Sequence, residues 1–224
     1  MQRLAKKYKF AVIATDVVIF TIREEKLQVL LIKMKKHPFE KMWALPGGLI
    51  QPNEDLDHAA ERILDKCTHV KNIYLEQLYT FGRVDRDAFG RVVSVAYFAL
   101  IPSEGIRLAT SAEYESVDWF SANDLPVLAY DHREIVKVAS ERLRAKLAYT
   151  NIIYSLLPKE FTLGEMQSFY EIIFDKVLDK RNFRKKILSL NLIQKVNRKK
   201  LTGANRPAEL YRFSERKPEM AEIL

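Results

Sequence analysis

The sequence predicts an α+β protein, with a first domain of strands around one central helix and a second, small helix-turn-helix domain that carries a basic hairpin. Three observations predict this. In the first 150 residues, β-branched and aromatic runs flank a single helical stripe of apolar residues. Pro158 then interrupts the chain. Residues 180–217 contain 13 basic and 2 acidic residues, an excess of 11. We expect domains at 1–150 and 159–224, joined by a linker at 151–158.

The composition is that of a globular protein. The 224 residues are 48% hydrophobic and 29% charged. No apolar run approaches the roughly 18 residues of a membrane span, and the start of the sequence, MQRLAKKYKF, lacks the apolar segment of a signal peptide. We therefore expect a cytoplasmic protein without a membrane partner. A single cysteine excludes an internal disulfide and a cysteine-based zinc site.

Strands are predicted where β-branched and aromatic residues cluster between polar turns. Residues 9–20 and 26–34 form a predicted hairpin, residues 74–83 and 92–100 form a second pair, and residues 115–120 form a short fifth strand. A helix is predicted at 131–148, where apolar residues recur at helical spacing among alternating charges. Strands around a helix of this kind favour a layered α+β domain.

The central helix follows a glycine loop. Gly47 and Gly48 can adopt positive φ and allow a ligand to approach the backbone closely. Asn53, Glu54 and Asp55 then suit the positive start of a helix. The apolar stripe of this helix comprises Leu56, Ala60, Ile63, Leu64 and Cys67, which places the cysteine in the predicted core.

This stretch resembles the signature of the Nudix hydrolase superfamily, a box of Gly, five residues, Glu, seven residues, then Arg-Glu-apolar-any-Glu-Glu-any-Gly-apolar. The sequence agrees with it at Gly48, Glu54, Arg62, Leu64 and Val70. The resemblance implies that the first domain is an α/β/α sandwich of the Nudix type.

The metal-binding part of the box is absent. The three glutamates that carry the family's catalytic metal ligands are replaced by Ile63, Lys66 and Cys67, and the late glycine is replaced by His69. Magnesium needs oxygen ligands, and none of the three replacements supplies a carboxylate. We therefore expect a retained fold without hydrolysis, with no catalytic residue, no metal and no cofactor. The alternative is an active ADP-ribose pyrophosphatase that holds its metal with Glu54, Glu61 or Asp65.

The loop between the second pair of strands is rich in charge, with five charged residues within nine positions. It is either a solvated hairpin turn or a rim in which guanidinium groups bind phosphate or ribose oxygens. Its sequence, GRVDRDAFGRVVSVAYFAL, is similar to the same stretch of ADP-ribose pyrophosphatases, which favours a ligand site. The expected ligand-binding residues are Trp43, Gly47, Gly48, Arg83, Asp85, Arg86, Arg91 and His132.

The C-terminal segment predicts two helices and a wing. Thr162 and Glu165 form a capping box that starts the first helix, and Asp179 caps a second helix, 179–193, that is basic near its start. Residues 193–214 predict a strand, turn and strand. This order is typical of a winged helix-turn-helix that binds DNA, although a helical appendage with an incidental basic face is the alternative. The expected DNA-binding residues are Lys180, Arg181, Asn182, Arg184, Lys185, Arg198, Lys199 and Arg206.

Both halves together resemble the NrtR-type Nudix-related transcriptional regulators. The resemblance implies a homodimeric repressor of NAD-biosynthesis operons that binds ADP-ribose or a related nucleotide and releases double-stranded operator DNA when the ligand binds. A close branch, AraR, instead senses L-arabinose, and the sequence does not separate the two branches. An RNA-binding module is a further alternative, although no exposed aromatic platform of the kind that stacks single-stranded RNA is recognisable.

Overall fold

The computed structural model describes residues 10–71, 73–104, 106, 108, 113–201 and 207–224. These divide into two compact units. The first comprises most of residues 10–141, and the second comprises residues 142–224 with two short segments, 22–27 and 102–104. The division falls inside a helix, whereas the sequence predicts a linker at 151–158. Every helix in the described part of the chain is too short or too polar to cross a membrane.

A mixed seven-stranded sheet forms the first unit. Its strands are β1 (Val12–Arg23), β2 (Lys26–Met34), β3 (Trp43–Ala44), β4 (Gly47–Leu49), β5 (Tyr74–Phe81), β6 (Val92–Leu100) and β7 (Tyr114–Ser121). The order is β3-β2-β1-β6-β5, with β4 paired to β1 and β7 paired to β2. β1 and β6 are parallel, and the other pairs for which a register is given are antiparallel. The five strands predicted from β-branched runs are present, and the short strands β3 and β4 replace a predicted loop.

Helix α1 (Leu56–Thr68) is the predicted central helix, and Asp55 caps it by accepting a hydrogen bond from the backbone N–H of His58. Its buried face includes Ile63, Leu64 and Cys67, which belong to one hydrophobic cluster with residues of the central strands. The predicted core position of Cys67 is therefore confirmed. Helix α2 (His132–Tyr149) follows β7, and a short 3₁₀ helix, Ile152–Ser155, follows α2.

The second unit contains the predicted pair of helices and a three-stranded antiparallel sheet. Its elements are β8 (Phe161–Thr162), α3 (Leu163–Phe174), α4 (Lys180–Ser189), β9 (Ile193–Leu201) and β10 (Pro207–Phe213), and the strand order is β8-β10-β9. The capping box of Thr162 and Glu165 is formed in full. The helix α4 ends earlier than the predicted residue 193, because Asn191 adopts a left-handed φ of 53° that a helix cannot continue through.

Residues 214–224 form a C-terminal strap within the second unit. Asn151 holds the strap at two points, since its Nδ2 donates to the carbonyl of Lys217 and its Oδ1 accepts from the N–H of Glu219. The backbone N–H of Ile223 donates to the carbonyl of Ala148 at the end of α2. The strap thus closes the last turn of α2.

Arg216 of the strap bonds several backbone carbonyls of this unit. Its guanidinium donates to the carbonyls of Tyr154, Leu157 (3.1 Å) and Pro158 (3.3 Å), and it lies 5.7 Å from the centre of the Tyr154 ring. Tyr154 lies in the 3₁₀ helix, and Leu157 and Pro158 follow it, so one cation bonds three carbonyls at the end of this helix.

Replacing Arg216 with Met is expected to lower the free energy of unfolding by about 2 kcal/mol, because charge-assisted hydrogen bonds to buried carbonyls are lost while most of the side-chain volume is kept. Urea unfolding followed by circular dichroism measures the change. The matched control is Lys217→Met, since Lys217 is exposed and, among the described residues, forms ion pairs with Glu215 and Glu219 on the strap. Equal unfolding midpoints for the two variants would show that Arg216 has no such role.

Candidate functional site

A cavity of about 450 Å³ opens on the first unit beside β1, β4 and the loop between β5 and β6. Its walls are mostly apolar, with polar groups from four separate parts of the chain. The polar lining residues that matter below are Asp16, Arg86, Arg91, His132 and Lys36. A cavity of this size with a few convergent polar groups is typical of a small-molecule site.

Arg86 is the centre of a buried ion-pair cluster at this cavity. Its Nη2 and Nε lie 2.7 Å and 2.9 Å from the two carboxylate oxygens of Asp131, and Nη2 lies 3.2 Å from Oδ2 of Asp16. All three side chains are less than a tenth exposed. Burial alone would lower the pKa of Arg86, but the bonds to Asp131 and the charge of Asp16 raise it overall. The guanidinium therefore stays charged and is already committed to two carboxylates.

Asp16 connects this cluster to β6 and to the start of α2. Its Oδ2 accepts a 2.6 Å hydrogen bond from Oγ of Ser94, and its Oδ1 lies 3.6 Å from Nε2 of His132. The other ring nitrogen, Nδ1, accepts from the backbone N–H of Leu45 at 2.8 Å. Burial lowers the pKa of His132, and the nearby carboxylates only partly oppose this. A neutral His132 with its proton on Nε2, directed at Asp16, satisfies both contacts.

Gly47 is required by the close approach of β4 to Asp16. The two residues are opposite one another in the antiparallel pair of β1 and β4, and a Cβ at Gly47 would lie 2.1 Å from Oδ1 of Asp16. Gly48 has open space, with nothing within 4 Å of a Cβ. Neither glycine uses its freedom to adopt positive φ, because both are in extended strand, and among the described glycines the positive φ belongs to Gly90.

Arg91 and Lys36 supply the positive charge of the cavity that no carboxylate bond neutralises among the described residues. Nη1 of Arg91 donates to the carbonyls of Gly82 (2.7 Å) and Arg83 (3.1 Å), which fixes the side chain but leaves its charge uncompensated. Arg83 itself pairs with Asp85 at 3.3 Å, and both are exposed. The rim charge of this loop is thus carried by Arg91 more than by Arg83.

The structure brings only part of the predicted ligand site together. Gly47, Gly48, Arg86, Arg91 and His132 line the cavity. Arg83 and Asp85 lie outside its lining, and Trp43 packs edge-on against Phe120, with ring centroids 4.6 Å apart. Trp43 helps to hold β3 in place, because its ring packs on β7 and its carbonyl accepts a hydrogen bond from the N–H of Ala129.

Asp16, Ser94 and Asp131 are site residues that the sequence analysis did not include in its expected set. Asp16 had a readable signal, since it is the one charged residue between Phe10 and Ile22. A charge inside a strand that is otherwise apolar must find a partner when it is buried. Its partner, Arg86, is 70 positions away, and the pairing itself could not be read from the sequence.

The positions of the family's metal ligands do not fit a divalent cation. Ile63 and Cys67 are buried in the hydrophobic core, where burial raises the pKa of Cys67 to about 11. Lys66 lies 2.5 Å from Oε2 of Glu113 and 5.2 Å from the centre of the Tyr114 ring. Within the described residues, no group of three histidine, cysteine or acidic side chains is placed to hold a metal.

Arg62 and Glu54, two residues that agree with the Nudix box, are bonded to each other. Arg62 donates from Nε to Oε2 of Glu54 at 2.8 Å, and from Nη2 to Oε1 at 2.5 Å. The hydrogen bonds from Arg62 lower the pKa of Glu54 to about 2. This carboxylate is therefore engaged in holding the loop before α1 against the helix, and also accepts from the N–H of Gln51.

The predicted DNA-binding residues fall into three groups. The first group, on α4, is exposed and consists of Lys180, Arg181, Asn182, Arg184 and Lys185. The second group lies on β9, where Arg198 and Lys199 contact the carboxylates of Glu160 and Glu209. The third, Arg206, lies outside the described residues.

Gly47→Ala is expected to lower the free energy of unfolding by about 2 kcal/mol, because the added methyl overlaps the buried Asp16 carboxylate and also comes within 3.0 Å of the carbonyl of Thr15. Thermal and urea unfolding measure this. Gly48→Ala, with free space around its Cβ, is the matched control and should remain close to wild type. If both variants were equally stable, the close approach of β4 would not constrain position 47.

Comparison with known proteins agrees with both units. Residues 13–139 match the model of the NUDIX domain, and residues 153–213 match the model of the NrtR DNA-binding winged helix domain. The chain is 35% identical over 213 residues to the ADPR responsive transcriptional repressor NtrR of Acinetobacter baylyi, with 92% of this chain and 84% of the relative covered.

Two solved structures extend this agreement. Shewanella oneidensis NrtR complexed with a 27mer DNA matches with a TM-score of 0.81 at 34% identity, over 90% of this chain and 93% of that chain. The NUDIX domain of the same protein, complexed with ADP ribose, matches with a TM-score of 0.55 at 37% identity, over 62% of this chain and 92% of that chain. The expected fold, a Nudix domain followed by a winged helix, is confirmed, and the chain belongs to the NrtR-type family of Nudix-related transcriptional regulators.

Proposed function

We propose that the chain is a ligand-responsive transcriptional repressor, whose Nudix domain binds ADP-ribose or a related nucleotide and whose winged helix binds operator DNA of NAD-biosynthesis genes. One observation carries the proposal: the same chain holds a cavity of about 450 Å³ in one unit and an exposed cationic helix face in the other. The names of its relatives, an ADPR responsive repressor and an NrtR with bound DNA, support both halves.

The DNA-binding half depends on how α4 is held. Phe183 and Ile187 are its buried residues, and the Phe183 ring packs against that of Tyr170 on α3, with centroids 5.5 Å apart. The opposite face, with Arg181 and Arg184, is exposed. In helix-turn-helix proteins, residues near the N-terminus of the second helix contact base edges in the major groove. The helix therefore presents its cations where an operator would be recognised.

The ligand-binding half has a floor and a rim of different charge. At the floor, Arg86 is paired with Asp16 and Asp131, so the three charges sum to −1 and His132 adds none. Carboxylate oxygens there suit the hydroxyl groups of a ribose and repel phosphate. Arg91 and Lys36 supply the positive charge for a diphosphate. We assign the phosphates to the rim and a ribose to the floor.

The Nudix domain is proposed to bind its ligand without cleaving it. The positions of the metal-binding glutamates hold a core isoleucine, a core cysteine and a lysine paired with Glu113. Glu54, one of the carboxylates that could compensate, is engaged with Arg62. Release of the operator then requires that the ligand bind more tightly to a form of the protein that does not bind DNA. A preference of about 3 kcal/mol would change operator affinity roughly 150-fold.

The repressor is proposed to act as a homodimer joined through its Nudix domains. Two-fold symmetry then requires a palindromic operator, with half-sites about one helical turn or a multiple of it apart. L-Arabinose is the second candidate ligand, because the carboxylate of Asp16 at the floor is an acceptor suited to the hydroxyls of a neutral pentose.

Arg184→Ala is expected to weaken operator binding by roughly 5- to 150-fold, because it removes a contact to a base or phosphate worth about 1–3 kcal/mol. An operator selected by the wild-type protein from a random duplex library provides the probe, and gel shift gives the affinity. Lys217→Ala, on the exposed strap, is the control. An Arg184→Ala protein that binds as wild type does would remove α4 from the interface.

ADP-ribose is expected to raise the melting temperature of the wild-type protein, and Arg91→Ala is expected to weaken its binding at least tenfold by removing the cation at the phosphates. Titration calorimetry measures the affinity, with L-arabinose tested in parallel. Incubation with magnesium should leave ADP-ribose intact. A response to L-arabinose alone, unchanged in Arg91→Ala, would establish the sugar instead, and steady release of AMP would contradict the loss of hydrolysis.

A further inference from the structure

The basic residues of β9 are paired with carboxylates on both faces of the wing hairpin. On one face, Glu209 of β10 lies between two lysines, with Oε2 at 3.2 Å from Nζ of Lys195 and Oε1 at 3.6 Å from Nζ of Lys199. The hydrogen bond from Lys195, with help from Lys199, lowers the pKa of Glu209. One ionised carboxylate thus serves two ammonium groups at neutral pH.

The other face carries a second set of pairs. Nη2 of Arg198 lies 2.5 Å from Oε1 of Glu160, and Nζ of Lys200 lies 2.6 Å from Oε1 of Glu165. Glu165 is also the capping-box residue of α3, because its Oε2 accepts from the N–H of Thr162. All four basic residues of β9, Lys195, Arg198, Lys199 and Lys200, therefore contact a carboxylate.

Helix α4 is different. Lys180, Arg181, Arg184 and Lys185 are exposed, and none of them forms an ion pair with a described residue. Lys186, nearer the end of the helix, lies 3.6 Å from Glu222 on the strap. The basic excess that the sequence places in this domain is therefore available to a phosphate on α4 and largely engaged on β9.

We propose that Glu209 and Glu160 are specificity-determining residues that keep the β9 cations away from DNA phosphates in sequence-independent complexes. Affinity for DNA of any sequence comes from phosphate contacts, whereas base contacts distinguish the operator. A wing whose cations are paired with carboxylates adds little to sequence-independent binding through phosphates. The β9 cations bind phosphates only in the operator complex, where α4 already positions the DNA and its phosphates can compete with the glutamates. This inference rests on the DNA-binding function proposed above.

The size of the effect follows from counterion release. Each additional phosphate contact steepens the dependence of log affinity on log salt by about 0.9. At 0.15 M salt, the same relation makes one additional contact worth about fivefold in affinity. Glu209→Gln frees two lysines, so at least one new contact is expected with a duplex of any sequence.

Glu209→Gln is tested by fluorescence anisotropy with a 30-bp mixed-sequence duplex that has no palindrome, over 50 to 300 mM NaCl. We expect about fivefold tighter binding at 0.15 M salt and a slope steeper by about 0.9. Glu215→Gln is the matched control, because it makes the same change in net charge at a glutamate paired with Lys217 on the strap. It should gain much less than Glu209→Gln.

Adding Lys195→Gln and Lys199→Gln to Glu209→Gln should cancel the gain, and the same two changes in wild type should weaken binding to this duplex much less than Lys185→Gln does. Lys185→Gln should weaken binding in either background, because α4 provides the unpaired charge. Two results would overturn the inference. One is a gain in affinity for Glu209→Gln no larger than that for Glu215→Gln. The other is a loss of affinity for Lys195→Gln with Lys199→Gln, in the wild-type background, equal to that for Lys185→Gln. If neither wild type nor any variant binds duplex DNA, the proposed DNA-binding function fails as well.

Discussion

The buried contact of Arg86 with Asp16 and Asp131 is the constraint on which the first domain depends. It joins β1, the loop after β5 and the residue before α2, which are separated by 70 and 45 positions in the sequence. Removing one partner of a buried pair commonly costs about 3–5 kcal/mol, because an unpaired charge is left without water. The same contact sets the position of the carboxylate that excludes a side chain at Gly47. The contact thus fixes the floor of the cavity, β4 and the start of α2 relative to one another. The cavity therefore has a defined shape before any ligand enters it.

Local signals account for most of what the sequence predicted well. Asp55, Asp179 and the pair of Thr162 and Glu165 were all expected to start helices, and each caps a helix in the structure. Caps act within one turn, so the residues that form them are neighbours in the sequence. The central strands were equally readable, because a buried strand needs a run of β-branched and aromatic residues. The short strands β3 and β4 were missed, since their pairing depends on partners in β1 and β2.

The parts of the site that could not be predicted involve contacts between distant residues. The sequence indicated Arg86 as a phosphate-binding cation, but the structure shows its guanidinium committed to two carboxylates from other elements. Trp43, which was expected at the ligand, lies outside the lining of the cavity and packs on Phe120. A count of charged residues also says nothing about contacts between distant residues. The excess of basic residues in the second domain was correct as a sum, yet only the structure shows that acids distant in sequence, such as Glu160, contact the wing.

The buried position of Cys67 has a practical consequence for measuring these properties. It is the single cysteine of the chain, and with a pKa of about 11 only roughly one thiol in ten thousand is ionised at pH 7. A maleimide dye would therefore react with an introduced surface cysteine long before it reached the native one. Fluorophores can be attached site by site to a protein that keeps its own core intact, and energy transfer between them would measure whether a ligand changes distances within the protein.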